Sequence, residues 1–240
     1  MKHVEQLRNL GYTLLPRVFD AEQMRSLGSQ LAAALQTDQL PVLRSRGQTY
    51  GSRDLIRLLP EVCESPSHPV LSEFIAAVLG PDAGLVRALF FDKPPDRSWS
   101  LPWHRDRTIA VQNNETTSSE FRKPTNKAGI PHVEAPQWLL ADMLTLRVHL
   151  DAMTAENGPL SVIPGSHIVD AAVEIPPVEL HTEIGDVLAM RPLLSHSSSL
   201  PRVGTNMHRR VIHLELAARA ELPDGYQWHT FKPVAPLQIH

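Results

Sequence analysis

Cysteine is almost absent. Cys63 stands alone among 240 residues, so neither an intramolecular disulfide framework nor a thiolate zinc cage can form, and a reducing, cytoplasmic compartment is the expected location. Excess basic charge is missing too: 23 Lys plus Arg against 26 Asp plus Glu give a formal charge of -3, without the broad positive field that nucleic-acid or anionic-membrane binding draws on. No apolar run reaches the roughly eighteen residues of a membrane span, and the opening MKHVEQLRNLGYTLLPRVFD lacks the unbroken apolar stretch of an export signal, so neither is expected. Glycine is scarce, 12 against 21 prolines, which argues for many proline-punctuated turns. What the chain has is a 42% hydrophobic composition, enough for the core of one compact domain over residues 1–240, and 12 histidines, where chemistry near neutral pH is to be sought.

Residues 1–80 read as mainly helical. Asp20 followed by Gln23 has capping-box spacing, and Met24, Leu27, Leu31, Ala34 and Leu35 recur on one face, predicting a helix over about Ala21 to Gln36. A shorter helix is predicted from Arg53 to Leu59, ending at Pro60, and another after Ser67, carrying Leu71, Phe74, Ile75 and Val78 and stopping at Gly80-Pro81. From residue 84 to about 220 the period changes. Short runs rich in Val, Ile, Leu and Phe (Leu85 to Phe91, Thr108 to Gln112, Met143 to Leu150, Leu160 to Ile163, Val178 to Ile184, Val187 to Met190, Arg210 to Leu216) alternate with turn residues. The pattern predicts a sandwich or barrel with the N-terminal helices packed on one sheet. The polar stretch Asn113 to Asn126 reads as a long loop, either a lid over a site or plain surface.

Two H-x-D triplets occur, His104-Arg105-Asp106 and His149-Leu150-Asp151, and either could present an imidazole and a carboxylate on one side of an extended chain. His196, just after the strand GDVLAM, is placed to supply the second imidazole of a two-histidine, one-carboxylate site. Arg209 lies thirteen positions further on, at the start of the next strand, where a guanidinium could grip the far carboxylate of a dicarboxylate. Thr145, Arg147, His149 and Asp151 share one strand face, so the second triplet could also line a barrel interior. Lys93-Pro94-Pro95 reads as a strand end entering a turn, with a lysine able to reach an anion, and Glu156-Asn157-Gly158 as a hairpin turn. Hydrogen-bonding roles in turns and loops are expected of His132 and His167, and ordinary structural roles of His3, His68, His181, His229 and His240.

The segments GYTLLPRVFDAEQ, FFDKPPDRSWSLPWHRD, LDAMTAENGPLSVIPGSH, LLSHSSS and HRRVIHLEL together resemble the phytanoyl-CoA dioxygenase family of Fe(II)- and 2-oxoglutarate-dependent oxygenases, over nearly the whole chain. The resemblance implies a mainly β fold with flanking α, a double-stranded β-helix or cupin-like jelly-roll barrel. It implies iron ligation by His104, Asp106 and His196, a 2-oxoglutarate anchor in Arg209, and a cosubstrate contact from Ser198. Arg147 matches a position that often faces the cosubstrate. The implied reaction uses O2 and 2-oxoglutarate, releases succinate and CO2, and oxidises a C–H bond of a small molecule; with Asp106 present, hydroxylation is expected rather than halogenation. Two departures stand out: Arg105 replaces a common Gln, and the interval from His196 to Arg209 is longer than usual, so that Arg210 competes for the anchor's role. On a strand only one of the two can enter the barrel, and VIHLEL aligns best with Arg209 inside. The rival readings are a zinc hydrolase using the same three ligands, which leaves Arg209 idle, and a non-catalytic jelly roll that binds a small carboxylate.

Overall fold

The computed structural model describes residues 1–36, 42–45, 48–95, 99–168 and 175–234; His240 lies outside them. Helix α1 (Lys2–Leu10) ends at Gly11, whose φ of 80° is left-handed and whose missing Cβ leaves room for His167, 2.5 Å from where that carbon would stand. Helix α2 (Ala21–Ala34) begins with the anticipated capping box: Asp20 Oδ1 accepts from the Glu22 and Gln23 amides at 2.8 Å, and Gln23 Oε1 accepts from the Asp20 amide at 2.8 Å. The helix predicted from Arg53 is shorter, α3 (Leu55–Leu58), because Asp54 caps it by accepting from the Arg57 amide. Pro60 then opens a 3-10 helix, Pro60–Ser67, instead of ending the helical region, its fixed φ and missing donor suiting a first turn. Helix α4 (Pro69–Leu79) stops at Gly80.

Residues 1–80 also carry strands that local sequence did not announce: β1 (Tyr12–Leu15), β2 (Val42–Ser45) and β3 (Gln48–Ser52). They join strands from the second half, β4 (Gly84–Lys93), β9 (Met143–His149), β12 (Val187–Met190), β14 (Arg209–Ala217) and β15 (Lys232–Pro233), in an antiparallel sheet ordered β1-β12-β9-β14-β4-β3-β2, with β15 also on β4. Strands β5 (Leu101–His104), β10 (Leu160–Val162), β11 (Val178–Leu180) and β13 (His196–Ser198) form a second sheet, ordered β11-β10-β13-β5. The two sheets face each other as the halves of a jelly roll. A third sheet, β6 (Thr108–Ala110), β8 (Ile130–Glu134) and β7 (Arg122–Lys127), precedes helix α5 (Gln137–Ala141).

This third sheet corrects the reading of Asn113 to Asn126 as one loop, since its last residues, from Arg122, are strand β7. As an outer strand, mostly exposed, RKPTNK needs no apolar alternation, which is why its sequence hides it. The segment before it is tied down: Asn114 Nδ2 donates to the carbonyls of Thr125 and His132, and Tyr226 Oη donates to that of Thr116. The Asn157-Gly158 turn is likewise no hairpin, because it leads from β9 in one sheet to β10 in another.

On the outer face of the large sheet Ala88, Phe90, Leu144, Leu146, Val148, Ile212 and Leu214 pack against Leu7, Met24, Leu31, Leu55 and Leu71 of the helical layer, all of them buried. Each such side chain contributes roughly 1.5 to 3 kcal/mol. The alternate residues turn inward. Register places Glu215, His213, Val211 and Arg209 of β14 beside Arg87, Leu89, Phe91 and Lys93 of β4, and the first three beside Thr145, Arg147 and His149 of β9. At one end the buried Arg87 Nε donates to Glu215 Oε2 at 2.9 Å, Nη2 closes the second half of the pair, and Nη1 donates to His132 Nε2 at 2.8 Å. His132 Nδ1 donates to the Ile130 carbonyl at 2.8 Å, so this histidine has a packing role and not only a turn contact. Burial and the Arg87 charge hold it neutral, with a pKa of about 4.

Burial works to raise the Glu215 carboxyl, but Arg87 and His213 outweigh it and hold its pKa at about 2, against 4.5 in an open chain. A depressed carboxyl stabilises the fold above about pH 4.5, and the contribution is lost as pH falls toward 2. Glu215→Gln leaves Arg87 buried and unpaired, a change expected to cost about 3 to 5 kcal/mol near neutrality. Urea unfolding of both proteins across the acid range should show the gap closing as pH falls; a gap independent of pH would assign the loss to something other than this ion pair.

Candidate active site

Strands β5 and β13 pair so that His104 lies directly opposite His196, their ring centroids 4.2 Å apart. Asp106 lies just beyond β5, its amide donating to the Pro192 carbonyl at 2.9 Å. Its carboxylate oxygens stand 4.0 Å from His104 Nε2 and 3.8 Å from His196 Nε2, and the three candidate ligand atoms lie within 4.8 Å of one another. Each Nδ1 has a fixed partner, the Pro102 carbonyl at 2.8 Å for His104 and the Leu194 carbonyl at 2.9 Å for His196. A ring that donates from Nδ1 keeps its proton there and offers the Nε2 lone pair. Burial lowers the His196 pKa to about 4 despite the nearby Asp106, so its imidazole is neutral under ordinary conditions, as a metal ligand requires.

The other triplet is pulled apart. His149 is fully buried, with neither nitrogen partnered among the described residues, and burial pushes its pKa well below the usual value. Asp151 turns away to Arg210, accepting from its backbone amide and Nε at 2.8 Å and from Nη2 at 2.7 Å. Arg105 also points elsewhere, donating from Nη2 to the Ser166 carbonyl at 2.9 Å, so its guanidinium is not paired with Asp106.

Beyond the triad the interior is positively charged. Lys93, Arg147 and Arg209 are 3%, 7% and 5% exposed, and none meets a carboxylate at ion-pair distance among the described residues. Arg209 Nη1 reaches only the Met153 sulfur at 3.4 Å, and the Nε atoms of Arg147 and Arg209 are buried without partners among the described residues. Lys93 Nζ donates to Ser198 Oγ at 2.8 Å and to the Ser199 carbonyl at 3.4 Å, and stands 5.5 Å from the centre of the Trp99 ring. Burial, then Arg209 and Arg147, lower the Lys93 pKa to about 7; burial and Arg147 lower that of Arg209 to about 9. Arg210, on the opposite strand face, is committed to Asp151.

Triad and cations line one cavity of about 480 Å3. The sequence reading placed Lys93 at a strand end within reach of an anion without assigning it to this group, and did not single out Tyr50, Arg53, Trp99 or Lys127, which line the same space. The period-two row Arg87, Leu89, Phe91, Lys93 was the available signal for Lys93. A separate cavity of about 380 Å3, beneath α2 and bordered by Asp92 and Arg210, contains none of the triad.

A jelly roll that sets two imidazoles and a carboxylate around one point, with open space beyond them, has the ligand set of mononuclear non-haem iron enzymes. The family profile described as phytanoyl-CoA dioxygenase (PhyH) matches residues 7–202, and the chain belongs to that family. No curated protein matches the sequence significantly. Similar solved structures include the non-haem α-ketoglutarate-dependent epimerase SnoN from nogalamycin biosynthesis, with a TM-score of 0.66 and 17% identity over 93% of this chain and 85% of that one. The carbocyclase SnoK from the same biosynthesis is similar at a TM-score of 0.67 and 17% identity over 99% and 87%. EctD from S. alaskensis, solved with 2-oxoglutarate and 5-hydroxyectoine, gives a TM-score of 0.68 and 19% identity over 90% and 75%. At these identities the likeness establishes the shared fold.

Because the Lys93 pKa is lower in the folded protein than the ordinary 10.5, folding expels a proton between about 7 and 10.5. The buried ammonium therefore costs most stability at and below about pH 7, and the cost fades as pH rises toward 10.5. In the ligand-free protein Lys93→Met should raise the urea midpoint near neutrality, with the advantage narrowing at alkaline pH. A constant difference would show that the charge is not what destabilises.

Proposed function

We propose that residues 1–240 act as one Fe(II)- and 2-oxoglutarate-dependent oxygenase domain that hydroxylates, or further oxidises, a small molecule, with O2 consumed and succinate and CO2 released. The observation that carries this reading is the pairing of an imidazole–carboxylate–imidazole triad with three buried cations that meet no carboxylate among the described residues. A cavity of that composition is incomplete without an anion, and a dicarboxylate supplies the missing charge. A zinc hydrolase built on the same ligands would leave those cations uncompensated.

His104, Asp106 and His196 would hold the iron and Arg209 the distal carboxylate of 2-oxoglutarate, with Ser198 and Lys93 beside it and Arg147 between the carboxylate site and Asp106. When bound, iron and 2-oxoglutarate supply the oxidising power for C–H cleavage. The protein fixes the imidazole tautomers through Pro102 and Leu194, excludes water from the Arg209 end, and keeps Asp106 on the metal side by drawing Arg105 to Ser166. With Asp106 in that ligand position a halide would lack a place on the metal, so the product would be hydroxylated, further oxidised or desaturated rather than halogenated. The substrate is a small molecule, with no role for nucleic acid or a bilayer, and among the described residues no helix is long and apolar enough to cross a membrane.

Adding Fe(II) and 2-oxoglutarate should release succinate. Ala substitution at His104, Asp106 or His196 should abolish release and lower iron stoichiometry, whereas Asp151→Ala should retain the metal. Product formed under 18O2 in chloride buffer should carry the label and no chlorine. A silent wild type that holds iron and 2-oxoglutarate would point to the non-catalytic binding protein.

Arg209→Lys keeps the charge but loses the planar fork, so it should weaken 2-oxoglutarate binding, and Arg209→Ala should weaken it by about 2 to 5 kcal/mol. Arg210→Ala should leave that affinity close to wild type and lower stability instead. Calorimetric titration of the three variants decides the register; equal losses at positions 209 and 210 would overturn the assignment.

A further inference from the structure

The 480 Å3 cavity has a second charged end. Arg87 and Lys93 point the same way from β4 six residues apart, which is about 20 Å at the rise of an extended strand. The Lys93 end holds Arg209 and Ser198. At the Arg87 end two more cations enter the cavity from unrelated elements: Arg53, just after β3, and Lys127, the last residue of β7. Arg87 is neutralised by Glu215, but among the described residues neither Arg53 nor Lys127 meets a carboxylate at ion-pair distance. The only partner of Lys127 Nζ among them is Thr108 Oγ1, at 2.8 Å. Both side chains are half-buried: burial, Arg87 and then Arg53 disfavour the charged form of Lys127, and burial followed by Arg87 does the same to Arg53, outweighing the weaker pull of Glu215 on both and of Asp106 on Lys127. The walls between the two ends are apolar and aromatic, with Leu89 and Phe91 on one side and the edge-on pair Tyr50 and Trp99, centroids 5.5 Å apart, on another.

Two unneutralised cations converging on a partly dry wall form a receptor for an oxyanion, and the intervening surface suits an apolar body. We propose that Arg53 and Lys127 form a substrate subsite, and that the substrate is a small acid with an aromatic or aliphatic body whose carboxylate or phosphate these two residues hold. The inference rests on the oxygenase reading, which assigns the Arg209 end to 2-oxoglutarate and leaves this end to the molecule being oxidised.

The test uses the full chain with Zn(II) in place of iron and saturating 2-oxoglutarate, so that the Arg209 end is filled. Benzoate, phenyl phosphate and the uncharged benzamide are titrated as probes by saturation-transfer NMR. At least one acid should bind saturably, and benzamide should bind about tenfold more weakly or not at all. Arg53→Gln and Lys127→Gln should each weaken the acid about tenfold, Arg53→Lys should recover part of the loss, and 2-oxoglutarate affinity, which also reports folding, should hold. Preference for benzoate or for phenyl phosphate identifies the anion, and either supports the subsite. Benzamide binding as well as the acids, acid binding unchanged in both glutamine variants, or no acid binding at concentrations on the order of millimolar overturns it. Failure of wild type to bind 2-oxoglutarate in a separate calorimetric titration counts against the oxygenase reading alone, because the Arg53 and Lys127 variants still score the acid subsite when the Arg209 end is unfilled.

Discussion

Alternation along β9, β14 and the Arg87 to Lys93 stretch of β4 is the constraint on which the molecule depends. One set of residues, including Phe90, Leu146, Val148, Ile212 and Leu214, closes against the helices, while the interleaved set, including Arg87, Arg147, Arg209 and His213, faces the cavity. The two sets cannot be exchanged without a register shift, and a slip of one residue would put guanidinium groups into the helical interface and leucines into the site. Hydrophobic burial thus specifies the position of the cavity side chains. It also separates Arg209 from Arg210, adjacent in sequence and opposite in environment.

The interior handles charge differently at its two ends. The charge of Arg87 itself is compensated within the protein by Glu215, with His132 as a further hydrogen-bond partner, and the cluster joins the large sheet to the small one that follows Asp106. Around Lys93, Arg147 and Arg209 no carboxylate pairs at ion-pair distance among the described residues, and burial, followed by the neighbouring guanidinium charge, lowers the pKa values of Lys93 and Arg209. A fold selected for stability alone would replace these cations with apolar groups. On the proposed reading a ligand completes the electrostatics of these cations, and binding of an anion there would stabilise the folded state by mass action.

Much of this was legible in the sequence, for reasons that differ by element. Helix α2 was readable because its capping box and apolar stripe are local, and Val187 to Met190 because a wholly buried strand is an unbroken apolar run. Strands β1, β7 and β13 were not, since three to six residues without a clear period become strands only when a distant partner supplies the ladder. Among the site residues, His104, Asp106 and His196 stood out through spacing and family resemblance, and alternation within the strand separated Arg209 from Arg210. Lys93 was legible as a lysine able to reach an anion, but Pro94 and Pro95 marked it as the entry to a turn and not as part of the cavity row. Arg53 and Lys127 had no sequence signal at all: their meeting is a product of the fold, through β3 and β7, two strands that were themselves unanticipated.

The same reasoning explains why the two triplets have such different fates. In both, a strand ends near its histidine and the carboxylate follows in irregular chain. For His149 the strand is central, between β12 and β14, so the imidazole is sealed beneath the cations and Asp151, past the strand's end, is captured by Arg210 from the neighbouring strand. His104 instead ends an outer strand whose single partner is β13, and the open side leaves Asp106 half-buried, with its carboxylate turned toward both imidazoles. The buried His196 on β13 supplies the fixed side of the triad and the border strand β5 the accessible one. Position within the sheet, more than the identity of the triplet, separates His104 and Asp106 from His149 and Asp151.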